Sequence, residues 1–465
     1  MPRLFQSLAR FADGSYIDRT ACDAAFARMH QRDPLGDRIH AALACLGLFL
    51  VVGPVTATEL AFAPLLVFFF VRAANAGPVW VHGFGQPAVL ASLALMAWLG
   101  LTLAWSPDRA QGLDEIARLR WFLLPGLIYP AIAHRRAMVT ALALGLIVAG
   151  IAQLASGLGA LRPPFPDRHY GRITGWWDPV VAGSVQVGAI GLFLPAALRG
   201  AGTDRRLGTL GLAIATAGLI ASGTRGAWLA GLILILIAVP LTLRAHNRTN
   251  RRATKRTTNR ATRRTIAIII TGLLIVAAVG WTQRDGLAIR VDQARSELLA
   301  ASAGDLDSST GARVGIMGLA AESGLTHPLG LGAGGIRTAA ESRFGAGHAA
   351  AHLEHAHSTP LHLWAVGGPP ALLLGALLAW VVLRHAVRDA PHDPRRALEA
   401  GLPYALAGLL LAGLFDAVHL NTHTCALLGA LAALCPAYRP AHNPAAHTEP
   451  PIRESPMPKE PNSIK

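Results

Sequence analysis

Charged residues are scarce in this chain. Only 15% of its 465 residues are Asp, Glu, Lys or Arg, whereas 52% are apolar, and an average soluble domain is about a quarter charged. Acidic residues are fewer than basic ones, with 27 Asp and Glu against 42 Lys and Arg, so the formal net charge is +15. This composition excludes an ordinary soluble domain and indicates a membrane protein.

Cysteine is scarce as well, with four in the chain. Cys45, Cys425 and Cys435 fall within apolar runs, and Cys22 lies in an N-terminal segment that we expect to be cytoplasmic. None therefore lies where an oxidising compartment would pair it, which excludes a disulfide-stapled secreted fold. The N-terminal segment also lacks the continuous apolar stretch of a cleavable signal peptide, so the first span is expected to direct insertion.

Long apolar runs are abundant between residues 39 and 438. A helix needs roughly 20 residues to cross about 30 Å of hydrocarbon, and the runs approach this length. The pattern predicts an all-α polytopic membrane protein with about twelve transmembrane helices, nine in residues 39–282 and three in residues 359–438. The predicted spans are 39–56, 57–72, 87–105, 121–133, 137–157, 179–198, 207–222, 226–243, 265–282, 359–383, 399–418 and 423–438.

Basic residues predict the orientation of these spans. Nine Lys and Arg lie in the connection 244–264, and such clusters resist translocation and stay cytoplasmic. Alternation then places residues 1–38 and a disordered tail, 439–465, in the cytoplasm. The net positive charge is accordingly expected to be a topology signal, and no nucleic-acid partner is expected.

One connection is long, and the same alternation places it outside. Residues 283–358 contain two helical patterns, 287–304 and 309–325, the second expected to begin at an N-cap of Ser309 or Thr310. The Gly-rich stretch "HPLGLGAGG" follows. Long loops in compact architectures are usually functional, so this large helical loop is expected to carry the site.

Two arginines lie on the predicted outer side. The apolar stretch 207–243 would run roughly 55 Å as one helix, so the chain is expected to turn at "SGTRG" through Gly223 and Gly226. Arg225 would then either snorkel to the head groups or bind a phosphate with its planar fork of donors. Arg313, expected in the first turn of a loop helix, opposes the helix dipole unless an anion binds there; the alternative is a solvated polar face.

Histidines cluster before the tenth predicted span. His352, His355 and His357 lie in "AHLEHAHSTPLHLW", and three interpretations stay open: metal ligands, solvated polar side chains, or a general base for a sugar hydroxyl. Imidazole titrates near pH 6.5, which suits a base at neutral pH. The patterns H-E-x-x-H and H-x-x-E-H are absent, so a zinc site is less favoured.

Three acidic residues complete the candidate set. Asp305 and Asp307 have a D-x-D spacing that could hold a divalent cation, although a plain loop is the favoured interpretation. Asp416 is predicted near the outer end of the eleventh span, where an acidic residue is costly and by default suggests function.

These features together resemble the superfamily of O-antigen ligases and O-antigen polymerases, over roughly residues 40–438. The resemblance implies a glycosyltransferase C-like fold in the bacterial inner membrane and a site at the periplasmic face. In that family the arginine of an S-x-x-R-G turn, the arginine of the loop helix and a histidine before the next span are functional. They correspond here to Arg225, Arg313 and His357. Many members have Asn after this histidine, where this chain has Ser358, so His355 stays open as the base.

The resemblance also implies substrates. The expected donor is an O-polysaccharide on undecaprenyl diphosphate, the acceptor is lipid A-core, and membrane lipids surround both; no cofactor or metal is expected. Ligase is favoured over three alternatives: a polymerase, a protein O-oligosaccharyltransferase and a lipid-linked glycan transporter. The residues expected to bind substrate are His355, Arg172 of "GRITGWWDP", a looser match, His352 and Asp416.

Overall fold

The computed structural model describes residues 2–160, 172–250 and 306–440, and eight positions between 292 and 304. The predicted span 265–282, the start of the loop helix predicted over 287–304, and the tail from residue 441 onward lie outside the described residues. Helices make up 78% of the structure, and the described residues contain no strand. The predicted all-α class is therefore confirmed.

The described residues contain seventeen α-helices. In chain order they are α1 Pro2–Ala12, α2 Arg19–Arg32, α3 Pro34–Leu50, α4 Val55–Val71, α5 Ala73–Phe84, α6 Pro87–Thr102, α7 Arg109–Arg118, α8 Leu124–Ile128, α9 Arg135–Gly157, α10 Pro179–Arg199, α11 Gly202–Ser222, α12 Arg225–Asn250, α13 Ser309–Thr326, α14 Gly335–Phe344, α15 Thr359–Arg388, α16 Leu402–Ala412 and α17 Thr422–Ala433.

Four helical stretches of the described chain are long and apolar enough to cross a membrane. They are Arg109–Gly157, Pro179–Arg199, Arg225–Ala245 and Thr359–Arg388. A fifth candidate is the pair α4 and α5, which is bent by 112°. These stretches agree with a membrane protein, whereas the number of twelve spans is not confirmed and stays a prediction, as does the division of the chain into segments.

Several predicted spans are shorter or more irregular than expected. The predicted span 121–133 is a succession of short 3-10 and α-helical turns, which joins α7 to α9. Pro125 and Pro130 lie in it, and proline lacks the N–H that a regular helix needs. The apolar helices α6, α16 and α17 have 16, 11 and 12 residues.

Helix α10 forms the centre of the bundle. It begins at Pro179, capped by Asp178, whose carboxylate accepts the Val180 N–H at 2.9 Å. Almost all its residues are buried, and it packs against α11, α12 and α16. The ends of these helices present the loops that carry the candidate site.

The Gly-rich stretch 327–335 is fastened to a break in α15. Backbone at Gly368 leaves the helical conformation (φ 63°), which leaves carbonyls of the preceding turn without helical partners. The N–H of Leu331 donates to the Ala365 carbonyl at 2.8 Å, and the N–H of Gly332 donates to the Val366 carbonyl at 2.9 Å. This stretch therefore anchors the loop to the bundle.

Candidate functional site

The turn between α11 and α12 places Arg225. Gly223 ends α11 in the left-handed conformation (φ 61°), as the sequence predicted, because a residue without a Cβ adopts it readily. Thr224 fixes the turn by donating from Oγ1 to the Pro179 carbonyl at 2.7 Å. Arg225 is the first residue of α12, with its side chain 43% exposed.

Gly226 has a different role from the one expected. It lies inside the first turn of α12 instead of forming the reversal, so that part of the prediction is wrong. A Cβ at Gly226 would lie 2.7 Å from the Cβ of Phe415. Only glycine permits this approach, which brings the Arg225 turn against the segment 413–421, where Asp416 lies.

Helix α13 begins earlier than predicted. Its N-cap is Ser308, whose hydroxyl accepts the Gly311 N–H at 2.9 Å, and not Ser309 or Thr310. Arg313 is therefore the fifth residue of the helix and lies beyond its first turn. The macrodipole argument for an anion at Arg313 is weakened accordingly, although the residue still lies near this end of the helix.

Glu297 links the two arginine-bearing helices. Its Oε2 lies 3.6 Å from Nη2 of Arg225, and it also accepts a hydrogen bond from the hydroxyl of Thr310, in the first turn of α13. The Arg225 turn and the beginning of α13 are thus neighbours. Sequence reasoning missed Glu297, because an acidic residue in a polar helical pattern gives no local signal.

His357 and Asp416 form the most specific contact of the site. His357 Nδ1 lies 3.1 Å from Asp416 Oδ1, and the two side chains are only 12% and 13% exposed. Burial raises the pKa of Asp416, but the hydrogen bond from His357 and the nearby histidines outweigh it and hold the pKa below its usual value. The ionised carboxylate can only accept, so Nδ1 carries the proton and Nε2 keeps its lone pair.

The backbone at His357 is strained to make this contact. It is the one non-glycine residue of the described chain with positive φ, at 48°. Its N–H donates to Nδ1 of His355 at 3.3 Å, and the two rings meet edge to face at 4.3 Å. Strain of this kind persists when the surroundings dictate it, and it concentrates at functional sites.

His355 lies beside the pair in a neutral state. Burial lowers its pKa below the usual value and the Arg313 guanidinium acts in the same direction, whereas the Asp416 carboxylate opposes them. Arg313 therefore contributes to the electrostatic environment of His355. His352, in contrast, is exposed at the end of the 3-10 turn Ala349–His352 and is not among the residues grouped around Asp416.

The segment carrying Asp416 is held to the start of α15. The Thr359 N–H donates to the Gly413 carbonyl at 2.7 Å, and the Thr359 hydroxyl donates to the Asp416 carbonyl at 3.2 Å. His419 Nδ1 lies 3.3 Å from the same hydroxyl. These bonds position Asp416, predicted at the end of a span, in a loop after α16.

A second buried pair lies next to this segment. Glu115 on α7 lies 3.5 Å from Nε2 of His362 on α15, with both side chains at most 4% exposed. Glu115 also accepts the Gly334 N–H at 3.0 Å, and the His362 ring lies 5.4 Å from that of His419. The pair joins α7, the Gly-rich stretch and α15. Sequence spacing does not reveal this pair, because these elements are distant in the chain.

Arg172 lies next to the Arg225 turn through its chain neighbour. The Ile173 N–H donates to the Ala221 carbonyl at 3.0 Å, two residues before Gly223, and Gln153 Nε2 donates to the Ile173 carbonyl at 2.8 Å. Of the residues proposed from sequence, the structure therefore brings Arg172, Arg225, Arg313, His355, His357 and Asp416 to one end of the bundle.

The chemistry of this assembly is that of a base beside fixed cations. The His357–Asp416 pair can accept a proton at Nε2, and the two guanidinium groups can stabilise an anion. The same group of donors has a second capability: one donor atom each from His355, His357 and Asp416 lie within 4.8 Å of one another, close enough to hold a metal ion.

The fold and site together define an all-helical protein with apolar membrane-crossing helices and a polar site among its loops. Residues 210–376 match the family model described as O-antigen ligase. This segment, which contains Arg225, Arg313 and His357, is similar to the O-antigen ligase family, in agreement with the resemblance seen in the sequence. Arg172 and Asp416 lie outside the match. The search of curated proteins gave no significant match.

Proposed function

We propose that this protein is an O-antigen ligase, which transfers O-polysaccharide from undecaprenyl diphosphate to lipid A-core at the periplasmic face of the inner membrane. The match of residues 210–376 to the O-antigen ligase family model supports a function of this type in general. The observation that carries the specific mechanism is the hydrogen bond from His357 Nδ1 to Asp416, at 3.1 Å. It leaves the other ring nitrogen with a lone pair that can accept a proton.

The reaction is a direct displacement with inversion. The acceptor hydroxyl oxygen attacks the anomeric carbon of the donor, and the bond from that carbon to the diphosphate oxygen breaks. The electron pair leaves with undecaprenyl diphosphate, and the hydroxyl proton moves to Nε2 of His357. Asp416 stabilises the imidazolium that forms, as a carboxylate does in other base-orienting pairs.

The arginines stabilise the leaving group. Negative charge grows on the diphosphate as its bond to the sugar breaks, and fixed donors stabilise this charge better than mobile water does. Arg225 pairs with Glu297 in this structure at 3.6 Å, so the donor diphosphate would displace that carboxylate. The two guanidinium groups could supply the charge that a metal supplies in other transferases.

Complementation tests the function. A ligase-null strain that expresses the wild-type protein should again produce polymer-capped lipopolysaccharide on a gel, because ligase loss leaves the polymer on its carrier. His357→Ala and Arg225→Ala should each fail to restore capping at equal membrane levels of protein, whereas His327→Gln, which removes an exposed imidazole of the loop, should restore it.

Two results would contradict the proposal. A polymerase-null strain carries only single repeat units on its lipopolysaccharide core. If this protein restores polymer in that strain, the chain belongs to the polymerase branch of the superfamily. Full capping by both His357→Ala and Arg225→Ala would show that the reaction does not use the site described above.

A further inference from the structure

The donors around His357 meet the requirements of a transition-metal site. His355, His357 and Asp416 offer two imidazoles and one carboxylate, with the three donor atoms within 4.8 Å of one another. All three side chains are half-buried or buried, so a bound ion would be largely shielded from water. Two imidazoles and one carboxylate are a familiar donor set for Zn²⁺.

The fold holds these three donors in position. His355 accepts the His357 N–H at Nδ1 at 3.3 Å, which holds the two imidazoles together. The positive φ of His357 and the bonds from Thr359 to the Asp416 segment fix two of the ligands before any ion arrives.

We propose that His355, His357 and Asp416 bind a divalent transition-metal ion of the Zn²⁺ type, and that the bound ion inhibits transfer. This inference rests on the proposed function for its second half only. A metal at the site coordinates His357 and the carboxylate that orients it, so the base loses either its lone pair or its partner. It also adds two positive charges where the acceptor proton must arrive. Inhibition is therefore expected in place of activation.

Zinc binding is the primary test, and it needs no substrate. The full-length protein, free of any histidine tag, is reconstituted in nanodiscs and titrated with Zn²⁺ against a chromophoric chelator. One Zn²⁺ per chain is expected, bound at least tenfold more weakly by His355→Gln and by Asp416→Asn. His327→Gln is the matched control and should bind like wild type. Zn²⁺ should also raise the thermal midpoint of wild type more than that of His355→Gln.

Transfer is the second measurement. Metal-free wild type should be active, Zn²⁺ at saturation should lower transfer at least tenfold, and EDTA should restore it. Equal Zn²⁺ affinity in wild type, His355→Gln and Asp416→Asn would overturn the metal site. Faster transfer with Zn²⁺ would overturn the inhibition. If metal-free wild type makes no product while the binding pattern holds, the metal site stands and the proposed ligase function fails.

Discussion

The replacement Asp416→Asn is the sharpest test of the site. The carboxylate and the imidazolium would carry opposite charges 3.1 Å apart in a pair about one-eighth exposed. At an effective dielectric of about 20 the full Coulomb interaction is about 5 kcal/mol, which sets a ceiling on the loss. Asn keeps the shape and part of the dipole, so we expect the kcat of transfer to fall about 10²- to 10³-fold, with little change in KM.

The assay is single-turnover transfer with purified lipid-linked donor and lipid A-core acceptor. Asp114→Asn, which neutralises an exposed carboxylate on α7, is the matched control and should keep full activity. Because the histidine and the carboxylate act as one unit, Asp416→Asn should cost almost nothing further in a His357→Ala background. A kcat within threefold of wild type for Asp416→Asn, with His357→Ala inactive, would refute the orienting role.

Three further replacements probe the surroundings of the pair. Glu297→Gln removes the acidic partner that competes with the diphosphate for Arg225. A partly exposed ion pair is worth up to about 1 kcal/mol, so the KM for the donor should fall up to about fivefold. An unchanged KM would contradict this competition. Gly226→Ala puts a Cβ 2.7 Å from that of Phe415 and should lower kcat about tenfold or more, as small misplacements in active sites do, at an unchanged membrane level of protein. Glu115→Ala removes the acceptor of the buried Gly334 N–H, so the free energy of unfolding should fall by about 1–3 kcal/mol, seen as a lower thermal midpoint. Stability equal to wild type would show that this contact contributes little.

Some of the site could be predicted from sequence because the controlling physics is local. An apolar stretch too long for one crossing requires a turn, and Gly223, one of the two glycines expected to form it, ends α11. Arg225 was expected within the turn, and it is the first residue of the next helix. The start of α13 was missed by one residue. Ser308, Ser309 and Thr310 can all cap a helix, and the choice depends on tertiary contacts, among them the bond from Thr310 to Glu297.

The pairings across the site could not be predicted from spacing. His357 and Asp416 are 59 residues apart, and Glu115 lies far from His362 in the chain. Neither pair leaves a periodic signal, because side-chain partners on different helices depend on how those helices pack. The number of transmembrane helices is also hard to predict from sequence. Apolar composition predicts burial, but it does not distinguish a helix that crosses the bilayer from a shorter helix packed inside the bundle.

The site has two acidic residues, Glu297 and Asp416, and each has a different partner. The proposed reaction needs Arg225 and the base His357 near each other. Arg225 must not pair with Asp416, however, because that ion pair would take the carboxylate away from His357. In this structure Glu297 pairs with Arg225, while His357 pairs with Asp416. Arg225 and His357 therefore each have their own acidic partner, and Gly226 packs closely on Phe415, the residue before Asp416. A donor diphosphate can replace Glu297 at the arginine without disturbing the base, because the His357–Asp416 pair is fastened to α15 independently.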